Sequence, residues 1–316
     1  MTRDRVLILR PLGLGDLLTA VPALRAIAGA FPRHQRVLAA PIRLSSLVKL
    51  SGAIDTVVDA RPLQALPIGC HHPDVAIDLH GRGPESHRIL LNTGPNRLIA
   101  FSNPEVPETR GFPRWRSEEH EVDRWCRLLS ENGIPADPRN LDIDPPDIEP
   151  LPVTRGAIII HPGAAYPARR WPLERWAAVA HALAPGVVIT GSTTERPLAM
   201  ELAQMAGISP GRVLAGSTDA IQLAVALAAA RLLISADTGV AHLATALRTP
   251  SVVLFGPSAP SQWGPPTDRP WHRVIWKGRR GDPNGVQPDP GLLAITVKDV
   301  LTEVGSLTEA GNAVRA

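Results

Sequence analysis

Short apolar runs and helical stretches alternate along this chain in two successive series, which restricts it to α/β folds more than any other feature does. In the first series, residues 6–10, 37–40, 56–58, 75–78 and 98–100 are short and almost continuously apolar. Runs of this kind belong to parallel strands covered on both faces. Between residues 10 and 37, Leu17, Leu18, Val21, Leu24 and Ala28 recur at helical spacing, with Asp16 placed to cap the helix. Residues 119–132 are amphipathic and stop at Gly133, an expected helix C-cap. The second series opens with the strand 157–160 and runs through a helix at 173–183, a strand at 187–190 and helices at 195–206 and 219–229. It closes with a strand at 232–235, a helix at 238–247 and a strand at 252–255. Such alternation is the signature of a doubly wound parallel sheet.

The two series are divided by residues 134–154, which hold Pro135, Pro138, Pro145, Pro146, Pro150 and Pro152 and read as an extended, semi-rigid linker. A length of 316 residues fits two domains. The expected boundaries are 1–150 and 151–316, each domain carrying its own Rossmann-like sheet. Ligands of such sheets bind outside the carboxyl ends of the strands, so a cleft between the two halves is expected.

Hydrophobic residues make up 44% and charged residues 20%, which excludes disorder for the bulk of the chain. All but three of the 33 basic residues are arginine, the exceptions being Lys49, Lys277 and Lys298. Arginine suits bidentate phosphate recognition. Basic runs with interleaved aromatics are missing and Tyr166 is the sole tyrosine, which disfavours nucleic-acid binding. Cys70 and Cys126 stand far apart, so neither a disulfide framework nor a cysteine-rich metal site is expected. The apolar stretch at the N-terminus ends by Arg10, too short for a signal peptide or a membrane span, and the expected location is cytoplasmic.

Three strand-to-helix junctions hold the chemistry. Gly13-Leu14-Gly15-Asp16 begins like a dinucleotide fingerprint, but Leu18 stands where the third glycine would fall and the second strand ends without an acid. The P-loop pattern is also missing. What is left is a glycine loop admitting a ligand to the backbone and presenting Asp16, which either only caps its helix or takes a proton from an attacking hydroxyl. Ser235-Ala236-Asp237-Thr238-Gly239-Val240-Ala241-His242 enters a helix whose free amides suit a diphosphate. Asp237 would cap this helix or hold a sugar hydroxyl, and His242 shares a helical face with Thr238. His161-Pro162-Gly163-Ala164-Ala165-Tyr166-Pro167-Ala168-Arg169-Arg170-Trp171-Pro172 offers two arginines able to neutralise a pyrophosphate leaving group. Its plainer reading is a solvated basic corner with Trp171 in the core and His161 ordering the loop. Asp142-Ile143-Asp144 spells a metal-binding DxD but lies in the linker, so no metal site is expected.

VLILRPLGLGDLLTAVPALRAI, HPGAAYPARRWP and SADTGVAHLATALRTPSVVLFGPSAPSQWGP, in this order, resemble the heptosyltransferase family, glycosyltransferase family 9. The resemblance implies a GT-B fold, with two Rossmann-like domains facing a central cleft. It implies an inverting, metal-independent glycosyltransferase that moves a sugar, heptose in most relatives, from a nucleotide-diphosphate sugar such as ADP-heptose to an acceptor hydroxyl. By the same resemblance Asp16 is the general base on the acceptor side and Arg169, where relatives usually carry lysine, is catalytic. Gly13, Gly15, Arg170, Asp237, Thr238, Gly239 and His242 fall to the donor, and Glu195 to its ribose. No cofactor beyond the co-substrate is implied. Many relatives carry a cysteine-containing stretch near the C-terminus, where this chain has GRRGDPNGVQPDPGLLAI. The acceptor is an envelope glycan or a small secondary metabolite, met by loops at 81–88 and 103–117. A monomer is expected, with no transmembrane segment and peripheral membrane contact left open. The competing readings are an inactive nucleotide-sugar-binding or regulatory protein and an epimerase on the same scaffold.

Overall fold

The computed structural model describes residues 4–313 and divides the chain into two compact units, Met1–Ile143 and Asp144–Ala316. The first is built on strands β1 (Arg5–Leu9), β2 (Gln35–Ala40), β3 (Thr56–Asp59), β4 (Val75–Asp78) and β5 (Arg97–Ile99). All pair in parallel, in the order β3-β2-β1-β4-β5. β1 is fully enclosed beyond its first residue, and Leu7, Leu9, Val37 and Ala76 share one core with Leu90. This is why the strand reads as an unbroken apolar run. The edge strand β3 is only partly covered.

The second unit holds β6 (Ile158–His161), β7 (Val187–Ile189), β8 (Leu232–Ala236), β9 (Ser251–Phe255) and β10 (His272–Trp276), again all parallel, in the order β10-β9-β8-β6-β7. Trp171 and Trp176 stack edge to face at 5.0 Å within its core, so Trp171 is core as expected. Strand order reverses between β1 and β4 in the first sheet and between β6 and β8 in the second. Crevices open at such points, beyond the carboxyl ends of the strands.

Every expected strand is present within two residues of its reading, and Gly133 closes the Glu121–Ser130 helix at φ +82°, with Ile134 N–H donating to Leu129 O at 2.9 Å. Three readings change. The first helix is two, Leu14–Thr19 and Val21–Ala30. Residues 85–88, expected as loop, lie in the Glu85–Leu91 helix. The proline-rich segment has no long regular element, yet its first part is anchored: Leu141 packs on Val122 and Cys126, and Arg25 donates to Asn140. β10 and the Val297–Ala313 helix were not anticipated.

Candidate functional site

At the carboxyl end of β1 the chain turns through Pro11-Leu12 into the Leu14–Thr19 helix. Gly13 is the N-cap and Gly15 lies in the first turn. Asp16 is therefore not the N-cap, as the sequence suggested, but the third helical residue; its Oδ2 accepts the Gly13 N–H at 3.1 Å. That bond ties the carboxylate to the glycine loop and leaves it 29% exposed.

Beneath it lies Arg10, 1% exposed at the end of the apolar strand. Its Nε donates to Asp16 O at 2.9 Å, Nη1 to Leu79 O, and Nη2 to Thr19 Oγ1 at 3.3 Å and Glu121 Oε1 at 3.0 Å. Nη2 also lies 3.7 Å from Asp16 Oδ1. Glu121 in turn accepts from Arg124 and from Trp125 Nε1, and the Arg10 guanidinium rests 4.7 Å from the Trp125 ring centroid. Burial pushes the Glu121 carboxyl upward, but Arg10, Arg124 and the hydrogen bonds outweigh it and hold the group below its ordinary value. A buried carboxylate between two guanidiniums is the arrangement that lets such charges persist inside a protein. Arg10 and Glu121 are 111 residues apart, so sequence reasoning missed them; the one signal was an arginine closing an otherwise apolar strand.

In the second unit, the β6–helix loop, the turn after β7 and the β8–helix junction meet. Glu195, at the end of a short 3₁₀ turn, accepts the Ser192 N–H and hydroxyl, each at 2.8 Å. It packs so closely on Gly163 that a Cβ there would fall 2.0 Å from Glu195 Oε1. Burial raises the Glu195 carboxyl, but Ser192, His161 and Arg170 together bring it below its usual range. His161 is buried, its Nδ1 3.0 Å from Thr190 Oγ1, and burial lowers its pKa against the pull of Glu195.

Asp237, following β8, is 6% exposed and does not cap the next helix: Thr238 is the N-cap of Gly239–Ala246. Burial pushes the Asp237 carboxyl up, while His242, a hydrogen bond from Ser258 and Arg169 pull it back. Arg169 Nη1 reaches Asp237 O at 3.5 Å, and the guanidinium lies 5.6 Å from the Tyr166 ring centroid. Arg170, by contrast, is exposed and donates Nε to Ala164 O at 3.0 Å. His242 meets Trp263 edge to face at 5.9 Å. Arg169 Nε, Ser235 Oγ and Thr238 Oγ1 are buried with no hydrogen-bond partner among the described residues. Arg169, Asp237, Thr238, Gly239 and His242 are thus gathered on one edge, with Glu195 and Arg170 near His161. Gly13 and Gly15 belong to the other unit.

Two contributors were missed. Ser258 and Trp263 come from the turn after β9, within the FGPSAPSQWGP stretch that carried the family resemblance but was given no site role of its own. Residues 278–289 brace the arginine loop: Ala168 N–H donates to Gly285 O at 3.1 Å, and Asp289 N–H to Ala168 O at 3.2 Å. Asp142 and Asp144 show no such convergence, and among the described residues no group of three or more potential metal ligands forms. No helix among them is long and apolar enough to cross a membrane.

The family model of glycosyltransferase family 9 (heptosyltransferase) matches residues 113–283. Lipopolysaccharide heptosyltransferase 2 of Escherichia coli K12 is 25% identical, over 96% of this chain and 98% of the relative. The E. coli ADP-heptose lps heptosyltransferase II structure superposes with a TM-score of 0.73 at 22% identity, covering 98% of this chain and 99% of that one. The E. coli heptosyltransferase WaaC with ADP gives 0.68 at 19% identity, over 96% and 99%. Two parallel α/β units in tandem, with the expected motifs at the strand-order switch points, agree with that match: the chain belongs to glycosyltransferase family 9, the heptosyltransferases, and is a glycosyltransferase of GT-B fold.

Proposed function

We propose that this enzyme transfers heptose from ADP-heptose to a sugar hydroxyl, with inversion and without a metal ion. The observation that carries the donor reading is the edge of the second sheet. There the Gly239–Ala246 helix starts beside Arg169, and the buried Thr238 Oγ1 and Arg169 Nε have no partner among the described residues. A helix N-terminus carries roughly half a positive charge, and with a guanidinium beside it the edge suits a diphosphate. Glu195, which tends to stay ionised, is fit to accept the ribose hydroxyls. ADP is supported as the nucleotide by the fold shared with WaaC, whose structure contains it.

In this reading residues 1–150 hold the acceptor and residues 151–316 the donor. Asp16 accepts the acceptor hydroxyl proton as the oxygen bonds to the anomeric carbon. The bond from that carbon to the diphosphate oxygen breaks on the opposite face, and ADP leaves with the electron pair. Arg169 and the helix amides meet the charge on the leaving group, which is what a divalent ion would otherwise supply. Arg169 is favoured over Arg170 because its guanidinium lies against Asp237. The acceptor is an envelope glycan or a small hydroxyl-bearing metabolite.

A thermal-shift panel of ADP, UDP, GDP, CDP and dTDP, followed by turnover of ADP-heptose in the presence of a sugar acceptor with and without a chelator, tests this. Selective stabilisation by ADP, with chelator-insensitive release of ADP, is expected. Preference for another nucleotide discards heptose, and chelator-sensitive turnover discards metal independence.

A further inference from the structure

The two carboxylate oxygens of Asp16 are treated differently by their surroundings. Oδ2 accepts the Gly13 N–H at 3.1 Å, whereas Oδ1 accepts no hydrogen bond from the described residues and has Arg10 Nη2 3.7 Å away. A guanidinium free to pair with a carboxylate closes to about 2.7–2.9 Å. Arg10 is not free, because each of its nitrogens is committed. Nε donates to Asp16 O at 2.9 Å, Nη1 to Leu79 O, and Nη2 to Glu121 Oε1 at 3.0 Å and Thr19 Oγ1 at 3.3 Å. The Thr19 hydroxyl itself donates to Asp16 O at 3.0 Å, so Arg10 and Thr19 grip one carbonyl together. The backbone of Asp16 is thus clamped while one oxygen of its side chain stays open.

Glu121 is the one carboxylate other than Asp16 within ion-pair distance of Arg10 among the described residues. It is buried, it also accepts from Arg124 and from Trp125 Nε1, and these partners hold its carboxyl below the ordinary value, so it carries a negative charge. Without that charge, Asp16 would be the nearest anion to Arg10, and a carboxylate facing an unbalanced guanidinium is a weaker base. The remaining titratable groups nearby do not replace Glu121. Arg124 is a second cation on the same helix. Asp78, in the turn after β4, is fully buried and engaged with the His80 N–H at 2.8 Å and with His87 Nδ1 at 2.7 Å. Burial lowers the His80 pKa and favours its neutral ring.

We propose that Glu121 is a positioning residue for transfer: by holding the Arg10 guanidinium and offsetting its charge, it keeps Oδ1 of Asp16 open to take the acceptor proton. Arg10 then steadies the base through its backbone carbonyl without closing on its carboxylate. This rests on the transferase reading with Asp16 as base. Glu121 acts on the proton-transfer step, so it sets kcat and its pH dependence rather than the affinity for either substrate.

The test is the pH dependence of kcat in Glu121→Gln and Arg10→Gln with ADP-heptose. The acceptor is whichever of truncated lipopolysaccharide, methyl α-mannoside and methyl heptoside gives the highest wild-type rate, and circular dichroism at each pH confines the profile to folded enzyme. Glu121→Gln keeps the size of the side chain and removes the charge that offsets Arg10. Its acid limb should move down by about one pH unit, the low end for an opposite charge because Asp16 is partly exposed. Its plateau kcat should fall about three- to tenfold, with both KM values within about threefold of wild type. Arg10→Gln removes the cation and leaves Glu121 with Arg124 and Trp125, so its limb should move up by about one unit. A purely structural loss lowers the rate by one factor at every pH and moves neither limb; if one variant does not fold, the direction in the other decides. Limbs that coincide with wild type or move the same way, or a loss confined to KM, overturn the proposal. Asp16→Asn in the same assay separates the two levels. If it keeps more than about a tenth of the wild-type rate, or if wild type transfers to none of the acceptors, the base reading fails and this proposal with it. If it is inactive while the two limbs coincide with wild type, only this proposal fails.

Discussion

At the edge of the first sheet the buried charges are matched inside the protein: Arg10 is held by Glu121, Glu121 by Arg124 and Trp125, and Asp16 by the Gly13 amide. At the edge of the second sheet Asp237 is buried with its pKa raised, and Arg169 Nε, Ser235 Oγ and Thr238 Oγ1 find no partner among the described residues, whereas at the first edge the unpartnered buried atoms are Arg124 Nε and His80 Nδ1 and the buried Glu121 carboxyl is held below its ordinary pKa. A buried polar group without a partner costs about 1–3 kcal/mol. The first edge therefore spends its polar groups on holding a carboxylate and its loop in place. The second buries Asp237 where desolvation outweighs the pull of His242, Ser258 and Arg169. On the proposed reading the first edge fixes a base and the second grips a phosphate, two demands that one kind of parallel sheet would meet with different residues beyond its strands.

The largest effect should come from Asp16. Asp16→Asn keeps the shape and most of the hydrogen bonding but cannot take the proton, and kcat should fall by about 10²–10⁴ in a continuous ADP-release assay. Retention of more than a tenth of the wild-type rate would remove the base assignment. Next is Glu121→Ala, which leaves Arg10 and Arg124 buried without their carboxylate. A loss of about 3–5 kcal/mol is expected in denaturant unfolding of the whole chain. A loss below about 1 kcal/mol would mean that the first edge is not held by this network.

A smaller effect is expected from Arg169→Ala, which should weaken ADP binding by about tenfold or somewhat more, as for a lost charged hydrogen bond. Arg170→Ala should do less in the same titration, because its exposed side chain is turned to Ala164 O. The reverse order would exchange their roles. The smallest signal separates the edges by pH. Glu121 has a folded pKa below its unfolded value, so its stabilisation is fully present above about pH 4.3 and is lost as pH falls through the folded value. Asp237 has a folded pKa above its unfolded value near 3.9, so its ionisation costs stability, and that cost is relieved as pH falls through the raised value. Stability curves of Glu121→Gln and Asp237→Asn against wild type should accordingly bend in opposite directions on acidification. Parallel curves would contradict the contrast.

Much of this architecture was legible because its signals are local. Parallel strands buried on both faces announce themselves as apolar runs, and Asp237, Thr238 and His242 lie within six residues of one strand–helix junction. The brace under Asp16 was not legible, since it joins residues more than a hundred positions apart. The Glu85–Leu91 helix was hidden by the Gly83-Pro84 turn that starts it and by its seven-residue length. β10 was masked by His272, which is buried with Nδ1 2.8 Å from Ser251 Oγ on the neighbouring strand, and by Arg273, which an edge strand tolerates because one side is open. The resemblance to family 9 named Asp16 as the base, but it did not indicate that Gly13 caps the helix and Asp16 ties back to it.

The central claim is that the proton acceptor and the donor grip lie on different units. Calorimetric titration of Asp16→Ala with ADP tests it most directly. The account predicts a dissociation constant within about twofold of wild type while transfer is lost. An ADP affinity weakened tenfold or more would place Asp16 in the donor site and contradict the division of labour.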